Sequence, residues 1–221
     1  AYDDESNTST ILASIIPSYK ITDNLTYKFI YSINHSTGER VTNVLSSINV
    51  QGIEGRGFGY QAFNTLTTQQ LTHTLDYNWE IASNMNLNLL GGYEYMDFRF
   101  RGSALAAQDF ISDDIRYTNV LQNSSANSRL MGSFQDPTTE LQSYFARANF
   151  NLSDKYLLTA TFRADGSTKF GENNKYGYFP SVAAAWNISK EGFMAGGLFD
   201  DLKLRVGWGV TGNQDFPSGA S

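Results

Sequence analysis

The strongest constraint on the fold is the alternation of apolar and polar residues in runs of about ten positions between Leu141 and Asn213. Successive side chains of a β-strand point to opposite faces, so each run predicts a strand with one apolar face. Runs of this length exceed the usual strand of a soluble sheet, about five or six residues, and match strands that cross an outer membrane. The last run is the clearest, with Leu202, Leu204, Val206, Trp208 and Val210 opposed by Lys203, Arg205, Gly207, Gly209 and Thr211.

Alternation alone fits two structures, because the apolar face is the core of a soluble sandwich but the lipid surface of a membrane barrel. Along the whole chain, alternation and turn residues predict an all-β, antiparallel, up-and-down arrangement of four hairpins. The eight candidate strands lie near residues 9–20, 25–36, 68–80, 85–100, 140–152, 155–165, 177–188 and 202–211.

The lengths of the connections favour the membrane barrel. Short links at 22–24, 82–84 and 153–154 alternate with long ones at about 37–67 and 102–138. Two links, near 166–176 and 189–201, are intermediate, and the second has room for one short helical turn around Glu191 to Met194. Short turns at one end and long loops at the other are typical of bacterial outer-membrane barrels.

Aromatic residues show the same polarity. Five of them lie on apolar faces within a few residues of the short turns, where an interfacial girdle is expected: Tyr19, Tyr27, Trp79, Tyr156 and Trp186. The centres of the apolar faces carry almost no charge, which is also expected of a surface that contacts lipid.

Composition excludes several classes of function. The chain has 221 residues, a formal net charge of −6 and no cysteine, so it has no disulfide scaffold, thiolate metal site or cysteine nucleophile. The acidic balance argues against nucleic-acid binding. No run of about 18 apolar residues predicts a transmembrane helix, and the N-terminal residues do not resemble a signal peptide.

The strand count predicts an incomplete barrel. If the first and last links are both short turns, both ends of the chain lie on the long-loop side, whereas complete bacterial barrels begin and end on the periplasmic side. We therefore expect an arc of a larger barrel. Two alternatives stay open: a self-contained eight-strand outer-membrane barrel and an extracellular β-sandwich that acts as a binding module.

Several short motifs between Tyr156 and Asn213 also carry a family signature. They resemble the barrel of SusC/RagA-type TonB-dependent outer-membrane transporters. The motifs are an expected turn at Arg163-Ala164-Asp165-Gly166-Ser167, then Lys169-Phe170-Gly171, Gly177-Tyr178-Phe179-Pro180-Ser181, Ala185-Trp186 and Gly209-Val210-Thr211-Gly212-Asn213.

This resemblance implies a transmembrane β-barrel of about 22 strands, filled by a plug. It implies a multi-pass protein of the bacterial outer membrane that imports glycans or peptides, draws energy from TonB and works with a SusD-like surface lipoprotein. Residues 1–221 contain no recognisable plug or TonB box, so the resemblance predicts a barrel portion of about eight strands, with TonB engaged through a missing N-terminal part. It implies no enzyme activity and no cofactor.

The residues offer no catalytic or metal-binding cluster, but two sets are candidates for binding. Phe58, Tyr60 and Phe63 offer flat surfaces for sugar rings or peptide side chains near a glycine-rich stretch, 52–60, that we expect to be an extracellular loop. The polar faces of successive strands present six residues to the expected lumen: Arg147, Asn149, Arg163, Asp165, Lys203 and Arg205.

Overall fold

The fold is a single antiparallel β-sheet. A computed structural model describes residues 2–49, 51–53, 55–136, 138–169, 176–194 and 200–212. The main path of the sheet runs β1-β3-β4-β5-β7-β8-β9-β10, with β2 paired to β3 and β6 paired to β5. The strands are β1 (Tyr2–Ile15), β2 (Ser18–Lys20), β3 (Leu25–Val44), β4 (Phe58–Ala82), β5 (Met85–Gln108), β6 (Leu130–Gln135), β7 (Thr139–Leu152), β8 (Tyr156–Ser167), β9 (Tyr176–Asn187) and β10 (Lys203–Gly209).

The only helices in the described ranges are single 3₁₀ turns. Three lie between β5 and β6 and two between β9 and β10: Tyr117–Asn119, Leu121–Asn123, Ala126–Ser128, Ile188–Lys190 and Gly192–Met194. The last two occupy the link in which the sequence predicted a short helical turn. Within the described part of the chain, no helix has the length and apolar character needed to cross a membrane.

All eight predicted strands are present, but three are much longer than expected. Strands β3, β4 and β5 have 20, 25 and 24 residues, whereas about 9–11 suffice to cross a bilayer. Their extensions shorten the two long loops to residues 45–57 and 109–129. The prediction missed these extensions because a strand with water on both faces needs no apolar alternation.

Three local predictions were wrong. The first strand is interrupted at Pro17, which has no N–H to donate to a neighbouring strand, so β1 ends at Ile15 and β2 begins at Ser18. Strand β6 occupies part of the expected loop. The segment Arg163–Ser167 is the end of β8 rather than a turn. The motif residues Phe170, Gly171 and Asn213 lie outside the described residues.

The exposure of β8 distinguishes lipid-facing strands from a soluble sandwich. Its apolar positions are the exposed ones, with Leu158 and Phe162 retaining 46% and 47% of their accessible surface. The polar positions between them, including Thr159 and Thr161, are less accessible. A sandwich buries its apolar face against a second sheet, so this inverted pattern favours a strand in lipid.

Cross-strand pairing keeps the two faces apart. Ala148 of β7 pairs with Ala160 of β8, which pairs with Val182 of β9, and these three share the apolar face. Trp186 pairs with both Tyr156 and Leu204, so the apolar face continues across β8, β9 and β10, with aromatic side chains on the first two. A slip of one residue would move every apolar side chain to the polar face, so the pattern fixes the register.

The chain divides into two compact units, one of which contains the long loops and the other the short links. The loop unit comprises Ala1–Ala13, Ile33–Gln69 and Phe98–Thr138 and contains both long loops. The turn unit comprises Ser14–Ser32, Gln70–Asp97 and Thr139–Ser221 and contains all three short links. In the described sheet β1 and β10 lie at opposite ends of the path and do not pair, so the sheet is not closed. A self-contained eight-strand barrel requires that pairing.

Candidate functional site

Strand pairing places all six predicted polar-face residues on one face of the turn unit. Arg147 and Asn149 pair with Thr161 and Thr159, two positions on the same face of β8 as Arg163 and Asp165. Lys203 and Arg205 pair with Asn187 and Ala185 of β9, and Ala185 in turn pairs with Leu157 of β8, again on that face. The six residues therefore share one surface, and their orientation towards a lumen stays a prediction.

Within that surface, Arg163 joins β8 to β5 and β7. Its Nη2 lies 2.7 Å from Glu94 Oε1 and 2.8 Å from Ser143 Oγ, and its Nε donates to Asp165 Oδ1 at 2.6 Å. Gln70 of β4 donates to the other Glu94 oxygen at 2.7 Å. One guanidinium thus serves two carboxylates, and both of those carboxylates are largely buried.

An aromatic side chain completes this network. The guanidinium carbon of Arg163 lies 5.6 Å from the centroid of the Phe145 ring, within the range of a cation–π interaction. The same ring fills the space beside Gly92, where a Cβ would clash with Phe145 Cζ. A residue larger than glycine at position 92 would displace the Phe145 ring and would therefore disturb its cation–π contact with Arg163.

The remaining polar-face residues differ in their contacts. Asn149 accepts a hydrogen bond from Thr159 at 2.9 Å. Arg147, Lys203 and Arg205 are exposed and have no ion pair or side-chain hydrogen bond with any residue in the described ranges. This face therefore carries one hydrogen-bonded network, around Arg163, and three cations without an ion-pair partner in the described ranges.

The aromatic candidates of the loop unit do not form one surface. Phe58 and Tyr60 stack with ring centroids 6.2 Å apart and planes 12° apart. Phe63 is an odd number of residues away from both, so it points to the opposite face of β4. All three belong to a strand, because β4 begins at Phe58, and the prediction of an extracellular loop was wrong for these residues.

The two long loops are joined by a tyrosine that sequence reasoning missed. Tyr117 has no accessible surface, and its ring stacks on Phe110 at 4.0 Å. Its hydroxyl donates to the Asp113 carboxylate and accepts from the Ser46 N–H, while Ser46 Oγ donates to the same carboxylate at 2.7 Å. The hydrogen bond from Tyr117 is the main cause that holds the pKa of Asp113 below its usual value, and the hydrogen bond from Ser46 adds to this effect. Burial raises the pKa of Tyr117.

A glycine makes this contact possible. Gly57 adopts φ +68°, a backbone region that favours glycine, and a Cβ there would lie 2.6 Å from Tyr117 Cε2. Sequence alone offered only the glycine-rich stretch as a signal, and the ring that occupies the space comes from 60 residues further along the chain.

Replacing Tyr117 with Phe tests this loop contact. The ring stays in place but loses both hydroxyl hydrogen bonds, so we expect the loops to open about tenfold more often. Digestion of the full-length parent protein with proteinase K should then cut residues 109–129 faster by about that factor. The exposed Tyr2→Phe is the matched control, and equal cleavage of the two variants would contradict the contact.

The Glu191 carboxylate holds Tyr156 and Trp186, two of the aromatic residues near the short turns, in place. Glu191 accepts hydrogen bonds from the Tyr156 hydroxyl at 2.7 Å, the Lys155 ammonium at 3.0 Å and the Trp186 indole N–H at 3.1 Å. Tyr156 and Trp186 stack with centroids 6.4 Å apart. The Tyr156 hydroxyl, then Lys155 and Trp186, lower the pKa of Glu191. The sequence predicted the aromatics but not the acceptor that fixes them.

This anchor should respond to pH. Because the pKa of Glu191 is lower in the folded protein, its stabilising effect is complete above the ordinary glutamate pKa, about 4.3, and is lost as the pH falls through the lowered value. We expect amide exchange in 188–194, corrected for intrinsic rates, to accelerate below about pH 4 in the wild type. Glu191→Gln should show fast exchange at every pH and Glu80→Gln wild-type behaviour. Retained pH dependence in Glu191→Gln would refute the assignment.

Among the described residues, no three His, Asp or Glu side chains are placed to hold a metal ion. His73 accepts or donates one hydrogen bond with the Tyr27 hydroxyl at 2.6 Å and lies beside the Phe29 ring, in an aromatic environment.

Comparison with known proteins identifies the architecture. The family model described as TonB dependent receptor-like, beta-barrel matches residues 2–220. TonB-dependent receptor P3 of Formosa agariphila is 35% identical over 95% of this chain. TonB-dependent receptor SusC of Bacteroides thetaiotaomicron is 49% identical over 34% of the chain.

Solved structures agree on the fold. The RagAB peptide transporter superposes on 99% of the chain with a TM-score of 0.82, at 20% sequence identity. The chain covers 24% of that protein and 21% of the P3 receptor, and the 76 residues that match SusC cover 8% of that receptor. It spans about a quarter or less of the proteins it matches.

Proposed function

This chain belongs to the TonB-dependent receptor-like β-barrel family, and from that membership we propose that it forms part of the wall of a SusC-like importer of glycans or peptides. The barrels of this family lie in the bacterial outer membrane, and so does this chain. The proposed importer is energised by TonB through a plug-bearing N-terminal part and works with a SusD-like surface lipoprotein.

The inverted exposure of β8 is the observation that carries this proposal. Its apolar side chains are accessible while its polar side chains line the less accessible face. A lipid-facing wall with a polar interior is the arrangement required of a large barrel that passes polar solutes. The unclosed sheet agrees with an arc of such a barrel.

We assign roles to the candidate residues on the same basis. The network of Arg163 with Glu94 and Asp165 links β8 to β5 across β7, so its proposed role is structural. Arg147, Lys203 and Arg205 are the proposed lumen residues that contact the plug or a passing anionic group. Phe58 and Tyr60, already stacked on each other, and Phe63 on the opposite face are proposed as ligand contacts.

Uptake by cells tests the proposed function. The gene for the full-length parent protein is deleted in its native bacterium, and accumulation of labelled oligosaccharides and oligopeptides is compared with that of the wild type. We expect one substrate class to be lost on deletion, to be restored by complementation and to be abolished when TonB is absent. Uptake that is unchanged by the deletion, or that continues without TonB, would overturn the proposal.

A further inference from the structure

A groove of about 480 Å³ lies across strands β4, β5 and β6 in the loop unit. Its volume falls within the range of small-molecule sites, about 300–1,000 Å³. Its lining includes Phe63, Arg101, Ser133 and Gln135. The family comparison and the network around Arg163 account for none of these side chains.

Strand pairing gathers the polar lining on one face. Arg101 pairs with Gln135 and Ser103 pairs with Ser133. These two pairs are neighbours on the same face, which therefore carries a guanidinium, an amide and two hydroxyls. Directly opposed side chains have Cβ atoms about 5 Å apart. This patch presents both donors and acceptors at a spacing suited to the hydroxyl groups along a sugar chain.

Gly102 and Phe134 also line the groove, but they form the intervening pair, so their side-chain positions lie on the other face of the strands. The closest approach of Phe63 to the Cβ position of Gly102 is made by its carbonyl oxygen, at 3.4 Å, rather than by its ring. The Phe63 ring keeps 43% of its surface exposed at the edge of the groove. An exposed flat ring beside hydroxyl and amide groups suits the C–H face of a pyranose, which is apolar.

Arg101 determines the charge of the ligand. It is exposed and makes no ion pair or side-chain hydrogen bond with any residue of the described ranges. An unpaired guanidinium presents a fork of N–H donors that matches a carboxylate or sulfate group with two parallel hydrogen bonds. A neutral sugar offers the guanidinium of Arg101 no negatively charged acceptor.

From these features we infer that the groove binds an acidic oligosaccharide, with Arg101 on its carboxylate or sulfate group, Phe63 under a sugar ring and the side chains of Gln135, Ser103 and Ser133 on its hydroxyls. This inference rests on the proposed function and narrows it from glycans or peptides to an anionic glycan. It concerns capture at the groove and is independent of passage through the barrel.

Calorimetry on the full-length parent protein in detergent micelles tests the inference. The probes are hexagalacturonate, neutral maltohexaose and hexaglutamate. We expect hexagalacturonate to bind most tightly, and Arg101→Gln to weaken that binding by about tenfold. Phe63→Leu, which keeps apolar volume but removes the flat ring, should also weaken the binding of hexagalacturonate. Lys20→Gln removes one exposed positive charge elsewhere and should leave the affinity unchanged.

Three results would overturn the inference: no binding of hexagalacturonate, equal affinity in Arg101→Gln and wild type, or tighter binding of hexaglutamate. Its failure is distinct from failure of the proposed function. If TonB-dependent uptake persists while Arg101→Gln has no effect on affinity, only the groove assignment fails. If hexagalacturonate binds through Arg101 but deletion of the gene changes no uptake, only the proposed importer fails.

Discussion

Replacing Ala160 with Arg should destabilise the barrel by about 2–4 kcal/mol, the cost of an arginine at the midplane of the lipid face of an outer-membrane strand. Ala160 lies on the exposed apolar face of β8, between Ala148 and Val182. These small neighbours leave room for the longer side chain, so the penalty comes from the charge in lipid rather than from a steric clash. Urea titration of the full-length parent protein in phospholipid vesicles measures the loss.

Ala183→Arg is the matched control for this prediction. Ala183 is also an alanine, it lies on the neighbouring strand β9, and its partners Thr159 and Gly207 place it on the polar face. An arginine there meets the polar interior, so we expect a change below about 1 kcal/mol. Equal losses in the two variants would contradict the assignment of the apolar face to lipid, and a neutral Ala160→Arg would indicate that this face contacts water.

Replacing Arg163 with Met should also be strongly destabilising. Methionine keeps an unbranched stem beside Phe145, but Glu94 and Asp165 lose their shared cation. Removing one partner of a buried ion pair costs about 3–5 kcal/mol. Because the side chain of Arg163 is 36% exposed and solvent screens its charge, we expect about 2–3 kcal/mol. The same urea titration measures the change.

Arg147→Met is the matched control, because Arg147 lies on the same face of the neighbouring strand and has no ion-pair partner in the described ranges. We expect its effect to stay within about 0.5 kcal/mol. A second variant, Arg163→Lys, keeps the charge but cannot reach Glu94, Ser143 and Asp165 together, so its loss should lie between those of the other two. Similar stability of Arg163→Met and Arg147→Met would show that the network does not hold the strands.

The sequence predicted the strands where lipid constrains them and failed where it does not. In β8 and β9 one face must be apolar, so alternation gave strand type, approximate bounds and the polar-face position of Arg163 and Asp165. Beyond the span that lipid covers, the polar ends of β3, β4 and β5 have no such requirement, and they were predicted as loops. Phe58 and Tyr60 were placed in the wrong kind of element for this reason.

The candidate surfaces show the same division. The polar set on β7, β8 and β10 follows from periodicity, and strand pairing places its members on one face. The partners Glu94 and Ser143 could not be predicted, because they are 69 and 20 residues from Arg163. The Glu191 anchor and the Tyr117 contact between the long loops were missed because their acceptors lie in links without a repeating pattern.

The sequence by itself determined that this chain forms long two-faced strands with an apolar surface, and its motifs identified the transporter family. These properties are local, because the side chains of a strand alternate wherever it lies. Only the tertiary structure decided which face is accessible, which strands are neighbours, and which carboxylates, hydroxyls and rings contact Arg163 and Tyr117. Those contacts depend on strand order and register, which are set by pairing between segments distant in sequence.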